Sequence, residues 1–250
     1  MTAPFDAFGP GILIVTRTDV TPGTPVNIGY SQAFSFQFAG QIKELYGQNQ
    51  LPLDAARGTV KVTGRVTAAC LSGLAWNTTF FGQTFTSGGL QWNYQESHAI
   101  TAGAFSTTLT NISTFDQDLG LQYASTGLPL VKVTSAPAVG QYSTTGTGAS
   151  TVYAFNSSET GPLLVSYTST VTSGQTLTIN NTLLGTSPTF QLDYMTTRSG
   201  KALIVRLNQC QTASLNLPAK LEDFIMPELE LHIFANAAGQ LGKIIFPEVS

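Results

Sequence analysis

Hydrophobic and polar residues alternate with a period of two over much of the chain, the pattern of strands that bury one face. Between Tyr30 and Phe38 the set Phe34, Phe36 and Phe38 faces away from Ser35 and Gln37, and residues 58–63 set Val60 and Val62 against Lys61 and Thr63. Shorter runs at 128–133, 151–155, 163–167 and 176–179 are each bounded by Gly, Pro, Ser or Asn. Phe190, Leu192 and Tyr194 then alternate with Gln191, Asp193 and Met195, and a turn at Arg198-Ser199-Gly200 leads into Leu203, Val205 and Leu207, a hairpin signal. In residues 228–234, Glu228, Glu230, His232 and Phe234 share one face of a strand, while Leu229, Leu231 and Ile233 point to the core. Pro227 just before them marks an edge or a bulge.

One segment breaks the alternation. Val66, Ala69, Cys70, Gly73, Leu74, Phe80 and Phe81 recur at three- and four-residue spacing, which predicts a helix near 66–81 laid across a sheet and stopped by Gly82. Asn77 falls on the same stripe and needs a partner if buried.

Composition changes the picture in one direction. Only 10% of the 250 residues are charged, against about 25% in an average soluble domain, and the polarity comes instead from 35 Thr and 20 Ser. Residues 88–185 hold five charged side chains, Glu96, Asp116, Asp118, Lys132 and Glu159. The charge pattern divides the chain into an N-terminal arm or edge strand at 1–28, a core of 29–87 with 186–250, and a β-rich inserted lobe at 88–185. The expected fold class is mainly β, a β-sandwich or open barrel flanked by one α-helix.

So few titratable groups argue against an enzyme. His98 and His232 have no GxSxG elbow to serve and read as ordinary surface or interface residues. Asp116-Gln117-Asp118-Leu119-Gly120 opens like a calcium loop but lacks the distal bidentate Glu, so it reads as an acidic turn. Cys70 and Cys210 stand 140 positions apart with no CxxC, which suggests two independent buried thiols and no metal or cofactor. Eleven bases scattered among fourteen acids do not form the cluster that gripping nucleic acid requires. With no basic leader, and with an apolar run at Ile12–Val15 far too short to span a membrane, the chain is expected to be made and kept in the cytoplasm.

Three features point to contact with other molecules. Glu222, Asp223, Glu228 and Glu230 are four acids in nine residues with no base among them: a solvated face or an acidic wall. Residues 47–58 hold Leu51, Pro52 and Leu53 without a regular pattern, and as a loop too apolar for full exposure they dock on a neighbouring subunit through Leu51, Leu53 and Arg57, or fold back on their own domain. Trp76, Trp92, Tyr94 and Tyr142 fill a core or interface, or stack on sugars if exposed.

The block from Phe38 through Gln50, the Ala55-Ala56-Arg57-Gly58 turn, the Lys61-Val62-Thr63-Gly64 strand and the closing block from Gly200 through Phe224 to Gly239 resemble tail proteins of long-tailed bacteriophages, in particular the major tail tube protein. The resemblance covers about half the chain, at its two ends. It implies a structural virion protein of the tail, assembled in the host bacterial cytoplasm, whose partners are copies of itself, other phage tail proteins and genomic DNA in non-adhesive passage. Six subunits close a ring, and stacked rings make an acidic-walled channel, with Glu222, Asp223, Glu228 and Glu230 as lining candidates. A head decoration protein, a tail terminator or a carbohydrate-binding module are the alternatives.

Overall fold

The computed structural model describes residues 10–70, 72–100, 104–105, 109–198, 201–219, 221–222 and 224–246. The chain opens with strands β1 (Gly11–Arg17), β2 (Pro25–Tyr46) and β3 (Pro52–Ala68), then a short helix α1 (Gly73–Trp76) that widens into a π-helical turn (Asn77–Phe81). It continues through β4 (Phe85–Ala99), β5 (Ala104–Phe105), β6 (Phe115–Tyr123), β7 (Val131–Lys132), β8 (Gln141–Thr145), β9 (Val152–Phe155) and β10 (Pro162–Leu177). It ends with β11 (Phe190–Arg198), β12 (Lys201–Asn216), β13 (Glu228–Phe234) and β14 (Gly242–Ile245). The fold class is mainly β, with 60% of the described residues in strands and 7% in helices. Two compact units divide the chain, one drawn from Met1–Thr84 with Leu177–Ser250 and the other comprising Phe85–Thr176. Residues 177–185, expected in the lobe, therefore belong to the first unit.

In the first unit the antiparallel order β11-β1-β2-β3-β13-β12 returns to β11, because β12 pairs with β11 along residues 201–210 and with β13 along 209–216. The six strands thus close on themselves, and β14 pairs with residues 204–207 of β12 on the edge opposite β11. Leu13, Val15, Val26, Ile28, Val62, Val66, Phe190, Leu192, Val205, Leu207, Leu229, Leu231 and Ile233 fill the interior. Burial of each such side chain contributes about 1.5–3 kcal/mol. β1 corrects one expectation: it is no arm or edge but lies between β11 and β2, with Leu13 and Val15 fully buried. The Pro and Gly residues around it suggested an edge, but ring closure uses both of its sides.

The helix is also shorter than its spacing predicts. Residues 66–68 still belong to β3, where Val66 pairs with Phe34 on one side and Leu229 on the other. The two-residue period of Val60, Val62 and Val66 prevails over the helical stripe because both neighbouring strands demand it. Helical structure begins after Ser72, whose side chain accepts from the Ala75 N–H at 3.3 Å. Thr78 and Thr79 donate back to the carbonyls of Leu74 and Ala75, both at 2.8 Å, and Gly82, at φ 64°, ends the turn as expected. Buried Asn77 finds its partner in Gln83, donating to its carbonyl at 2.6 Å and accepting from its N–H at 2.7 Å.

The second unit contains a three-stranded sheet, β4-β10-β6, and a four-stranded one, β5-β9-β8-β7. Its core is Leu109, Leu121, Leu130, Tyr142, Tyr153, Phe155, Leu163, Val165 and Tyr167. Among the described residues no helix is long and apolar enough to cross a membrane.

Candidate interaction surfaces

The segment 47–58 is not a loop. Residues 47–51 are the turn of a long hairpin, and Leu53 and Arg57 lie on β3. Leu53 covers Gly47 so closely that a Cβ there would come within 2.6 Å of its Cδ1. β2 pairs with β1 only as far as Ser31, and β3 meets β13 only from Val62 onward. Beyond those points the two strands bond each other alone, from Ala39–Lys61 out to Tyr46–Pro52, and every residue from 37 to 57 is exposed. At about 3.3 Å per residue the arm reaches roughly 25 Å. Leu51 and Leu53 are 77% and 68% exposed at its tip, with Ile42, Leu45 and Tyr46 exposed behind them. Arg57 opposes Ile42, and its stem joins Phe38, Ile42 and Val60 in a shallow depression over Gly40. The alternation of Phe34 to Phe38 signals this strand, but only the pairing reveals that its outer half lacks a core.

The acidic candidates are more balanced than the sequence suggests. Leu229, Leu231 and Ile233 are buried and Glu230 and His232 exposed, as the period of two requires. Register places Arg65 opposite Glu230 and Thr63 opposite His232, and the Arg65 guanidinium pairs with the Glu228 carboxylate. Glu230 accepts from the Ser214 hydroxyl at 2.9 Å. With Lys61 beside them, the shallow face formed by Ser35, Gln37, Lys61, Thr63, Arg65, Glu230 and His232 is of mixed charge. Glu228 and Glu230, without a base near them in sequence, thus acquire bases across strands. Glu222 is exposed; Asp223 lies outside the described residues.

In the second unit every acid serves as an acceptor. Asp118, only 4% exposed, binds the Lys132 ammonium at 2.8 Å and accepts from Tyr142 at 2.8 Å, Tyr153 at 3.1 Å and the Gly120 N–H at 3.1 Å. Glu159 takes the Tyr123 hydroxyl and the Gly140 N–H, and Asp116 takes the Thr168 hydroxyl at 2.9 Å. Glu96 accepts from Tyr167 at 2.7 Å and from both the N–H and hydroxyl of Thr110 at 2.8 Å, and contacts His98. Burial alone would raise the Glu96 carboxyl, but these bonds outweigh it and hold it below its ordinary range. The tyrosines respond in the opposite sense. The hydrogen bond to Glu159, with burial, pushes Tyr123 up to about 12, and burial beside Glu96 pushes Tyr167 to about 12. Burial, with Asp118, raises Tyr142 and Tyr153 as well.

These contacts correct two sequence expectations. Asp116 to Gly120 lie on strand β6 rather than in an acidic turn, and the His98 side chain, 9% exposed, is no surface residue. Both cysteines are free; Cys210 is buried, which pushes its thiol up to about 12, whereas Cys70 is exposed rather than buried. Among the described residues no group of three or more His, Cys, Asp or Glu is placed to hold a metal ion.

Sequence reasoning missed other apolar surface. Leu183 and Leu184, between β10 and β11, and Leu221 and Phe224, between β12 and β13, are almost wholly exposed. Of the aromatic candidates, Tyr142 is buried and Trp76 half-buried, whereas Trp92 and Tyr94 stand out on β4. No protein-family model and no curated protein sequence matches this chain.

Proposed function

We propose that this protein is a structural virion component that assembles with copies of itself into stacked rings, the tube of a long-tailed bacteriophage tail, through which genomic DNA passes during ejection. The observation that carries the reading is the exposed β2–β3 hairpin. A lone two-stranded hairpin is only marginally stable in water, and this one displays Phe38, Ile42, Leu51 and Leu53 to solvent. Such apolar surface marks a protein contact, and its unpaired strand edges invite a further strand.

A projecting arm that docks on a different part of the next copy makes a head-to-tail contact. Repetition of that contact closes a ring or grows a filament. The exposed leucines at 183, 184 and 221 supply apolar surface of the kind an arm needs. Scarce surface charge suits contacts in which an unpaired buried ion would be costly. The outer face of β13, with Glu228 and Glu230, is proposed to border the channel together with Glu222. Because Lys61 and Arg65 share it, this wall repels phosphate more weakly than a purely acidic one, and its hydroxyls and amides keep it wet.

Negative-stain imaging and sedimentation of the purified chain at high concentration test the proposal. Wild type should form rings or hollow rods, and Leu51→Ser with Leu53→Ser should leave a monomer of unchanged circular dichroism. Rods of normal length from the double variant, or a wild type that stays a single particle under every condition, would overturn it.

A further inference from the structure

The second unit carries a groove that the tube reading does not use. Trp92 and Tyr94, 72% and 70% exposed, form one wall; Leu119, Gln122 and Pro129 form the other, with Gly120 and Ser166 between them. Gly120 and Ser166 are paired residues of β6 and β10, and no heavy atom lies within 4 Å of where a Gly120 Cβ would project. At this pair of positions the floor therefore carries only backbone and one small hydroxyl, which leaves room for a flat ring to settle against it.

Local backbone geometry builds this face. Gln95 sits in β4 at φ 54°, a conformation rare for a non-glycine residue. Trp92 and Tyr94 point outward while Asn93 binds Ser169 at 2.9 Å and Asn111 at 2.7 Å beneath them. Strict alternation would turn Gln95 inward and Glu96 outward. The kink reverses both: Glu96 enters the Tyr167–Thr110 network, and the Gln95 amide stays at the surface, donating to Gln122 Oε1 at 3.3 Å. Irregularities of this kind re-aim side chains and gather at binding sites.

We infer that this groove binds a neutral, pyranose-based oligosaccharide. No charged side chain lines it, so neither an acidic nor a basic ligand is selected. Exposed aromatic rings offer apolar faces to the C–H face of a sugar, and a few fixed polar groups set its orientation. Gln122 lines the groove; with its Oε1 taken by Gln95, its amide N–H groups remain to donate to a hydroxyl. Ser166, which accepts from the Gln95 N–H at 3.2 Å, keeps its own proton to donate. A peptide added as a further strand would instead need a free strand edge, and the groove lies on the sheet face.

Cellohexaose, maltohexaose and chitohexaose, titrated at millimolar concentration against the full chain and followed by tryptophan fluorescence and calorimetry, test this inference. At least one should bind with an affinity insensitive to salt, and Trp92→Ala and Gln122→Ala should each weaken it about tenfold or more, while Trp92→Phe retains most of it. Circular dichroism confirms that the variants are folded. Failure of all three sugars, binding unaffected by Trp92→Ala, or a proline-rich peptide outcompeting the sugar would overturn the inference. The hairpin variants leave this binding intact, so the two proposals fail separately.

Discussion

The two units of this protein handle charge in opposite ways. The closed barrel keeps its ion pairs, Arg65–Glu228, Arg206–Asp193 and Arg17–Asp19, on the outside, around an apolar interior. The second unit has one base, and its carboxylates turn toward tyrosine and threonine hydroxyls. A barrel of six mutually paired strands satisfies its backbone by closure and can fill with Leu, Val and Ile. Smaller sheets with large tyrosines in the core must find acceptors for buried hydroxyls, and a carboxylate accepts several at once. The first unit is therefore held chiefly by packing, the second by packing joined to a polar network.

The largest effect that would break this contrast is expected from Asp118→Ala. It removes the acceptor that Lys132, Tyr142 and Tyr153 share; Lys132 is half exposed and can turn to water, but taking the acceptor from a buried hydroxyl typically costs about 1–3 kcal/mol, and two tyrosines lose theirs. Trp76 lies in the first unit and Trp92 in the second, so single-tryptophan variants report denaturation of each separately. The Trp92 midpoint should fall sharply while that of Trp76 stays; equal loss at both would mean that the units unfold as one.

A smaller, graded effect is expected from pH. A tyrosine raised by the fold contributes stability that is fully present below its unfolded value of roughly 10 and is lost as pH rises toward the folded value of about 12 at Tyr123 and Tyr167. Glu96, held below its ordinary value, contributes stability present at neutral pH and lost as acid protonates it. Ultraviolet titration should therefore show about half of the eight tyrosines ionising only as the second unit unfolds. Ionisation of all eight near pH 10 would refute the network. The smallest effect should come from Arg65→Ala: its exposed pair with Glu228 is of the class that contributes little, so the Trp76 midpoint should not measurably move. A marked loss there would make the barrel's outer charges structural after all.

Much of the fold was legible. The alternation at 30–38, 58–63, 190–195 and 228–234 marks β2, β3, β11 and β13, and Leu229, Leu231 and Ile233 fall on the core face as their spacing requires. Gly82 ends the helix for the reason its type suggests. β4 and β6 escaped notice because Gln, Thr, Ser and Gly dilute their alternation, and both carry a positive-φ residue, Gln95 and Gly120, that shifts the period. Of the candidate site, Leu51, Leu53 and Arg57 drew attention as apolar residues in a polar stretch, but an apparent loop concealed the hairpin. The acidic run was visible and its bases were not, because Lys61 and Arg65 arrive from a strand more than 160 positions away.

The sequence by itself determined the fold class, the scarcity of charge and which side of most strands is buried, since these follow from residue type and a period of two. Only the tertiary structure decided that β1 is interior, that the barrel closes, that the hairpin stands clear of the core and that the lobe's acids face tyrosines. Those outcomes depend on which strand lies beside which. Hydrogen-bond pairing between distant segments fixes that order, and no local pattern encodes it.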